Sequence, residues 1–160
     1  MQPTAFPKPG HDHSHCTREL LARAEETCAG SGARLTPLRR KVLKSVAESH
    51  HASGAYDIIE RLARTGPRPA PISIYRALEF LLDQGLVHKI ESRNAFVACT
   101  HGEHAGDAVM LICANCGIVA EMDAGDAISE LTARAAALGF SPNATVVEMT
   151  GCCGECGSDA

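Results

Sequence analysis

Apolar residues recur at helical spacing through the first half of the chain. Leu20, Leu21, Ala24 and Cys28 form one stripe, which predicts a helix starting at Thr17 and ending at Gly30-Ser-Gly32. Leu38, Val42 and Val46 form a second, after Thr36 as cap and Pro37 at the first helical position. Ala55, Ile58, Ile59 and Leu62 form a third, capped by Ser53 and stopped by Gly66-Pro67. Ile74, Leu78 and Leu81 form a fourth, from Pro71 to Gln84 with Gly85 beyond. The period then changes. Leu86 to Glu91 and Ala95 to Ala98 are short strands around the turn Ser92-Arg-Asn94, a hairpin. Leu86, His88 and Ile90 alternate, so His88 should point inward. Beyond a loop at residues 99–106, Val109 to Ile112 and Ile118 to Met122 read as strands. A helix starting near Asp123 has the stripe Ile128, Leu131, Ala135 and Leu138, and Ala144 to Met149 reads as a last strand.

Four helices and a hairpin make a winged-helix arrangement. The fold class expected is α+β: an N-terminal winged helix-turn-helix domain over residues 17–98, a hinge and loop over 99–106, and a small α/β domain over 107–160. Residues 1–16 read as a mobile tail. Its run His11-Asp-His-Ser-His-Cys16 could hold zinc loosely, but its composition favours a disordered segment with incidental histidines.

Charge divides the chain at the same place. Residues 17–98 carry thirteen Lys and Arg against nine Asp and Glu, whereas residues 99–160 carry Arg134 alone against nine acids. The first part can approach a polyanion and the second would be repelled by one. On the fourth helix, Arg76 lies near the N-terminus and Glu79 and Asp83 lie further on. Such a helix can enter a DNA groove N-terminus first. Arg76 is the candidate base reader, supported by Ser73, Tyr75 and Tyr56. Arg39 and Arg93, at the second helix and the wing tip, are candidate phosphate contacts, although a solvated face is the plainer reading of the cations on the second helix.

Cysteines supply the second chemistry. Cys113-Ala-Asn-Cys116 and Cys153-Gly-Glu-Cys156 are two C-x-x-C knuckles, each followed by glycine, with thirty-six residues between them. Four thiolates of this kind suit a closed tetrahedral zinc site. Two disulfides are the alternative, weakened by the lack of an export signal at the start. Cys152 could replace Cys153, but only Cys153 keeps the two-residue spacer. Cys28 lies on an apolar stripe and reads as core. No apolar run approaches about 18 residues, so no membrane span is expected, and a reducing cytoplasm suits eight cysteines. No phosphate-binding glycine motif, H-E-x-x-H or Ser/His/Asp pattern suggests an enzyme or a small-molecule substrate. A zinc-ribbon redox protein and a zinc buffer are the competing classes. Neither accounts for the graded helix or the basic half.

The motifs Arg34-Leu-Thr-Pro-Leu-Arg39, Ala55-Tyr-Asp-Ile58, Ile74-Tyr-Arg-Ala-Leu78, Leu81-Leu-Asp-Gln-Gly85, Val87-His-Lys-Ile-Glu91 and the two knuckles, in this order, resemble the ferric uptake regulator family of metal-sensing repressors, in particular its zinc-sensing branch. The resemblance runs from about residue 17 to 157. It implies a zinc-responsive repressor that binds palindromic double-stranded operator DNA as a homodimer and shuts off zinc uptake, an iron- or peroxide-sensing repressor being the nearest rival. It also implies two Zn2+ per subunit, one structural at the four knuckle cysteines and one regulatory at His88, Cys99, a loop histidine and Glu121. The loop departs from the family pattern and offers both His101 and His104. His104 is chosen because His101 lies only two residues from Cys99, and His101 stays a live alternative. One sulfur, two imidazoles and a carboxylate suit zinc better than a harder ion.

Overall fold

The computed structural model describes Phe6, residues 12–100 and residues 108–157, and the chain separates into two compact units. His101, His104 and most of the hinge loop lie outside the described residues.

The N-terminal unit is helical up to a hairpin. Helix α1 (His13–Ser31) begins four residues earlier than Thr17, because Asp12 caps it and accepts from the Ser14 N–H at 2.8 Å. The expected tail therefore loses His13–Cys16 to the helix. Thr17 is buried against the rest of the unit rather than capping. Helix α1 ends where Gly32 turns left-handed, with φ of 67°. Helix α2 (Pro37–Ala47) starts as read, with Thr36 accepting from the Arg39 N–H and Pro37 at its head. Helix α3 (Ala55–Ala63) is capped by Gly54, not Ser53. Ser53 is buried and pairs through its backbone with Phe96, while the Asp57 carboxylate accepts from the Gly54 N–H at 3.0 Å. Helix α4 (Pro71–Asp83) gives way to strand β1 (Val87–Ile90) through Gly85, with φ of 66°. Strand β2 (Ala95–Ala98) returns antiparallel, and a short 3-10 turn, Glu91–Arg93, joins the two with Asn94 in the left-handed region.

One core serves all of these elements. Val42, Leu43, Val46, Ile58, Ile59, Ile74, Leu78 and Leu81 are shielded from solvent, and Leu86, Val87 and Phe96 close the core from the hairpin side. Leu86 and Ile90 are buried as the alternation predicts, but Val87 is buried too, so the strand is covered on both faces, and His88 between them is half-buried with its Nε2 shielded from solvent. Cys28 is core.

Ser45 is a flaw in that core. It is 3 % exposed on α2, and its hydroxyl has no hydrogen-bond partner among the described residues. A buried unsatisfied polar group costs about 1–3 kcal/mol, and alanine is also the better helix former. Ser45→Ala should stabilise the N-terminal unit by about 1 kcal/mol, raising its melting temperature by roughly 4–8 °C. Thermal unfolding followed by circular dichroism measures this. An unchanged or lower midpoint would show that the hydroxyl is satisfied in solution.

The C-terminal unit is a three-stranded sheet in the order β4-β3-β5, with one helix. Strand β3 (Ala108–Cys113) pairs antiparallel with β4 (Val119–Asp123) and parallel with β5 (Glu148–Gly151). Strand β5 thus starts four residues later than read from the sequence. Helix α5 (Gly125–Ala137) follows a turn in which the Asp123 carboxylate accepts from the Gly125 N–H. Its expected apolar stripe is mostly uncovered within the chain. Only Ile128 is buried, whereas Leu131 is 52 % and Leu138 87 % exposed. Phe140, Val146 and Met149 are exposed in the same unit.

Candidate metal centres and nucleic-acid face

The knuckles meet because β3 and β5 run side by side in the same direction. Cys113 ends β3 opposite Gly151, the end of β5, and the Ala114 N–H donates to the Gly151 carbonyl at 2.7 Å. Both chains then turn at the same end of the sheet. In the first turn the Gly117 N–H closes onto the Cys113 carbonyl at 3.0 Å, and Gly117 has φ of 76°, where a side chain would be strained. In the second, the N–H groups of Cys156 and Gly157 both reach the Cys153 carbonyl, forming the short helix α6 (Gly154–Gly157). Gly157 sits in that helical turn without a left-handed φ, so the glycine is not required there for the reason the sequence suggested.

The sulfurs of Cys113, Cys116, Cys153 and Cys156 all lie within 4.8 Å of one another, and none of the eight cysteines is joined in a disulfide, against the two-disulfide alternative. Cys116 Sγ and Cys153 Sγ are 3.7 Å apart. Two sulfurs about 2.3 Å from one zinc at the tetrahedral angle lie roughly 3.8 Å apart, so this spacing fits. Backbone N–H groups are aimed at the cluster. The Cys153 N–H donates to Cys113 Sγ at 3.4 Å. Backbone hydrogen bonds from Cys116 and then Cys153 hold the Cys113 thiol down at about 6, so that sulfur is a thiolate near neutral pH. Cys156 is pushed up to about 12 by its hydrogen bonds to Cys153 and Cys116 and by burial. The Ile118 N–H lowers Cys116, but desolvation and its bonds to Cys113 and Cys153 outweigh that and raise it. Four converging sulfurs, one of them already a thiolate, form a pocket suited to a soft to borderline divalent ion. Cys152 is exposed and lies outside the cluster.

The second candidate set is divided between the units. In the hairpin, His88 pairs with Val97, and the Cys99 N–H extends the ladder to the Leu86 carbonyl at 3.0 Å. Directly opposed residues share a face, as do residues two apart on one strand. His88 and Cys99 are therefore diagonal neighbours on one face, with a ring nitrogen and the sulfur within 4.8 Å. Sequence reading missed Arg23. From α1 it donates to the carbonyl of Cys99 and, at 3.5 Å, to that of Thr100, and so pins the end of the hairpin. Its signal in the sequence was only a cation beside an apolar stripe. Glu121, in the other unit, is a half-buried residue of β4 opposite Met110.

The candidate nucleic-acid residues take three forms. Tyr75 and Arg76 are exposed on the first turns of α4, and Ser73 is half-buried there. The head of α4 has no side-chain cap: Pro71 stands at the first position, and the Ser73 and Ile74 N–H groups close onto the Ala70 carbonyl. Tyr56 is 62 % exposed at the start of α3, and Arg93 is exposed at the wing tip. Arg39 behaves differently. Its guanidinium lies 3.5 Å from the Phe80 ring centroid and donates to the Arg34 carbonyl, so part of it is engaged in helix packing. Arg40 is ion-paired with Glu25. No described helix is long and apolar enough to cross a membrane.

Four helices with a two-stranded wing, followed by a sheet unit closed by four cysteines, define a winged-helix protein with an appended metal-binding unit. The sequence profile of the ferric uptake regulator family matches residues 30–150. The zinc uptake regulation protein of Escherichia coli (strain K12) is 40% identical over 141 residues, covering 88% of this chain and 82% of that protein. The peroxide operon regulator of Bacillus subtilis (strain 168) is 30% identical over 143 residues, covering 85% and 92%. Among solved structures, a zinc uptake regulator complexed with zinc and DNA is 40% identical, with a TM-score of 0.84, covering 89% of this chain and 96% of that one. The chain belongs to the ferric uptake regulator family.

Proposed function

We propose that this protein is a cytoplasmic, non-catalytic zinc-responsive repressor that binds palindromic operator DNA as a homodimer and shuts off zinc-uptake genes. The observation that carries the reading is the soft His88–Cys99 pair at the end of the wing, in a chain 40% identical to a zinc uptake regulation protein. A thiolate beside an imidazole favours zinc over the harder ions of an iron or manganese sensor. Cys113, Cys116, Cys153 and Cys156 hold one structural zinc. His88, Cys99, His104 and Glu121 hold a second, exchangeable one, with His101 the alternative loop ligand. Two of these residues belong to the N-terminal unit and Glu121 to the other, so an ion held by all of them couples the units. Ligand bound to only one arrangement shifts the population toward it, and successive major grooves lie about 34–36 Å apart, so fixing that arrangement fixes the spacing of two winged helices in a dimer. The uncovered Leu131 and Leu138 supply apolar surface for the second copy.

Arg76 reads a base, with Ser73, Tyr75 and Tyr56 at neighbouring base or phosphate edges and Arg39 and Arg93 at phosphates. The arginine fork matches the two acceptors of guanine, worth about 1–3 kcal/mol. Arg76→Ala should lose that much for operator DNA and little for random DNA. Arg93→Ala should weaken both alike and flatten the salt dependence. If Arg76→Ala keeps the original preference for the operator, another residue reads it. Operator binding titrated in parallel with zinc, iron(II) and manganese(II) tests the function itself. Zinc should act at the lowest free concentration, and a stronger response to iron would replace this reading with the iron-sensing one.

A further inference from the structure

We infer a further metal site in the N-terminal unit, formed by His13, Cys16 and His50 and suited to one borderline divalent ion, zinc first among them. Three observations carry it. The imidazole of His13, in the first turn of α1, lies with its ring centroid 4.6 Å from that of His50, which follows α2. If two imidazole nitrogens sit about 2.0–2.1 Å from one ion at a tetrahedral angle, their ring centroids lie roughly 5 Å apart. The observed pair needs only a small outward shift to accept an ion. Both rings are half-buried, with His13 Nδ1 and His50 Nε2 shielded from solvent, so water competes poorly at those nitrogens.

Cys16 is the third donor. It stands one turn after His13 on the same half-buried face of α1. Helix positions three apart hold their Cβ atoms about 5–6 Å apart, and this spacing is used by helices that offer two ligands to one metal. In the present rotamers the three donors are not drawn together within 4.8 Å, so the proposed site requires the Cys16 side chain to turn toward the imidazoles. Two imidazoles and a thiolate make a soft to borderline set, which excludes calcium and magnesium and suits zinc. Helix α1 and the segment after α2 would then be tied at their ends as well as through the core.

The site is separate from the four knuckle cysteines and from His88 and Cys99, so its test needs no DNA. Zinc binding by the full chain is measured by equilibrium dialysis, and cobalt(II) binding by absorption. Wild-type protein should take up one more zinc per subunit than His13→Ala/His50→Ala, and each single change should weaken that ion at least tenfold. Cys16→Ser should keep a weakened ion and lose the thiolate-to-cobalt charge-transfer intensity belonging to it. His15→Ala serves as control, because His15 faces Glu19 at 3.4 Å on the exposed side of α1, and it should leave uptake unchanged. His13→Gln, which keeps a helix-compatible side chain, guards against a folding defect at the first turn. Equal uptake by wild type and the double variant overturns the site. Loss that follows His15→Ala as closely as His13→Ala also overturns it, since it would mean loose chelation by the histidine-rich run.

Discussion

Cys113→Ser should unfold the C-terminal unit and dissociate the proposed homodimer, because Cys113 is central to the cluster both in geometry and in charge. It is buried at the end of β3, accepts the Cys153 N–H, and is the sulfur that backbone hydrogen bonds make most acidic. The unit around it has little else to hold it. Its helix buries Ile128 alone, and its sheet has three strands. Structural zinc in small domains contributes on the order of 10 kcal/mol of folding free energy, comparable to the whole stability of an ordinary domain. Circular dichroism, bound-zinc analysis and sedimentation measure the outcome together. A folded, dimeric Cys113→Ser protein lacking that zinc would show that the sheet stands without the metal.

The same cluster sets a pH dependence. Zinc binds thiolates, so at neutral pH its entry must displace protons from the raised thiols Cys116 and Cys156, whereas Cys113, lowered to about 6, is already ionised. Affinity should fall as pH falls, and more steeply below about pH 6, where Cys113 also takes up a proton. For the metal-free fold, a lowered thiol contributes stability above its ordinary value of 9.0 that is lost as pH falls through about 6. Calorimetry in buffers of different ionisation enthalpy reads the protons released.

On the proposed function, Cys99→Ser should leave a folded dimer with its structural zinc but without zinc-dependent operator binding. Serine keeps the shape of cysteine, and the backbone contacts of this residue, from its N–H to Leu86 and from Arg23 to its carbonyl, do not use the sulfur. What is removed is the soft donor beside His88. Moving a two-state protein from mostly open to mostly closed requires about 5.5 kcal/mol of differential binding, or roughly 10⁴-fold in affinity. Removing the thiolate from the proposed four-ligand set forfeits much of that. The titration reads operator occupancy against free zinc. The same experiment on His101→Ala and His104→Ala identifies the loop ligand, since only the true ligand should behave like Cys99. If Cys99→Ser still binds operator DNA at the wild-type zinc concentration, the switch lies elsewhere.

Much of this protein is legible in its sequence, because the relevant signals are local. Thr36-Pro37 sets the start of α2 by capping and by a fixed φ, and the period of Val42, Val46, Ile74, Leu78 and Leu81 marks faces that must be buried wherever the helices pack. The C-x-x-C spacing brings two sulfurs together in each knuckle without help from the rest of the chain. Tertiary structure decided the remainder. Whether two knuckles make one site depends on β3 and β5 lying parallel in register, which no local spacing encodes. Helix α1 could be extended back to His13 only once Asp12 was seen to cap it, and Ser53 lost its role as a cap because its backbone pairs with Phe96, forty-three residues away. Periodicity marks the face of α5 that seeks burial but not what will cover it, and within the C-terminal unit Leu131 and Leu138 stay exposed. The neighbours of Cys99 and of His13, Arg23 and His50 respectively, come from distant segments brought together only when one core draws α1, α2 and the hairpin onto it.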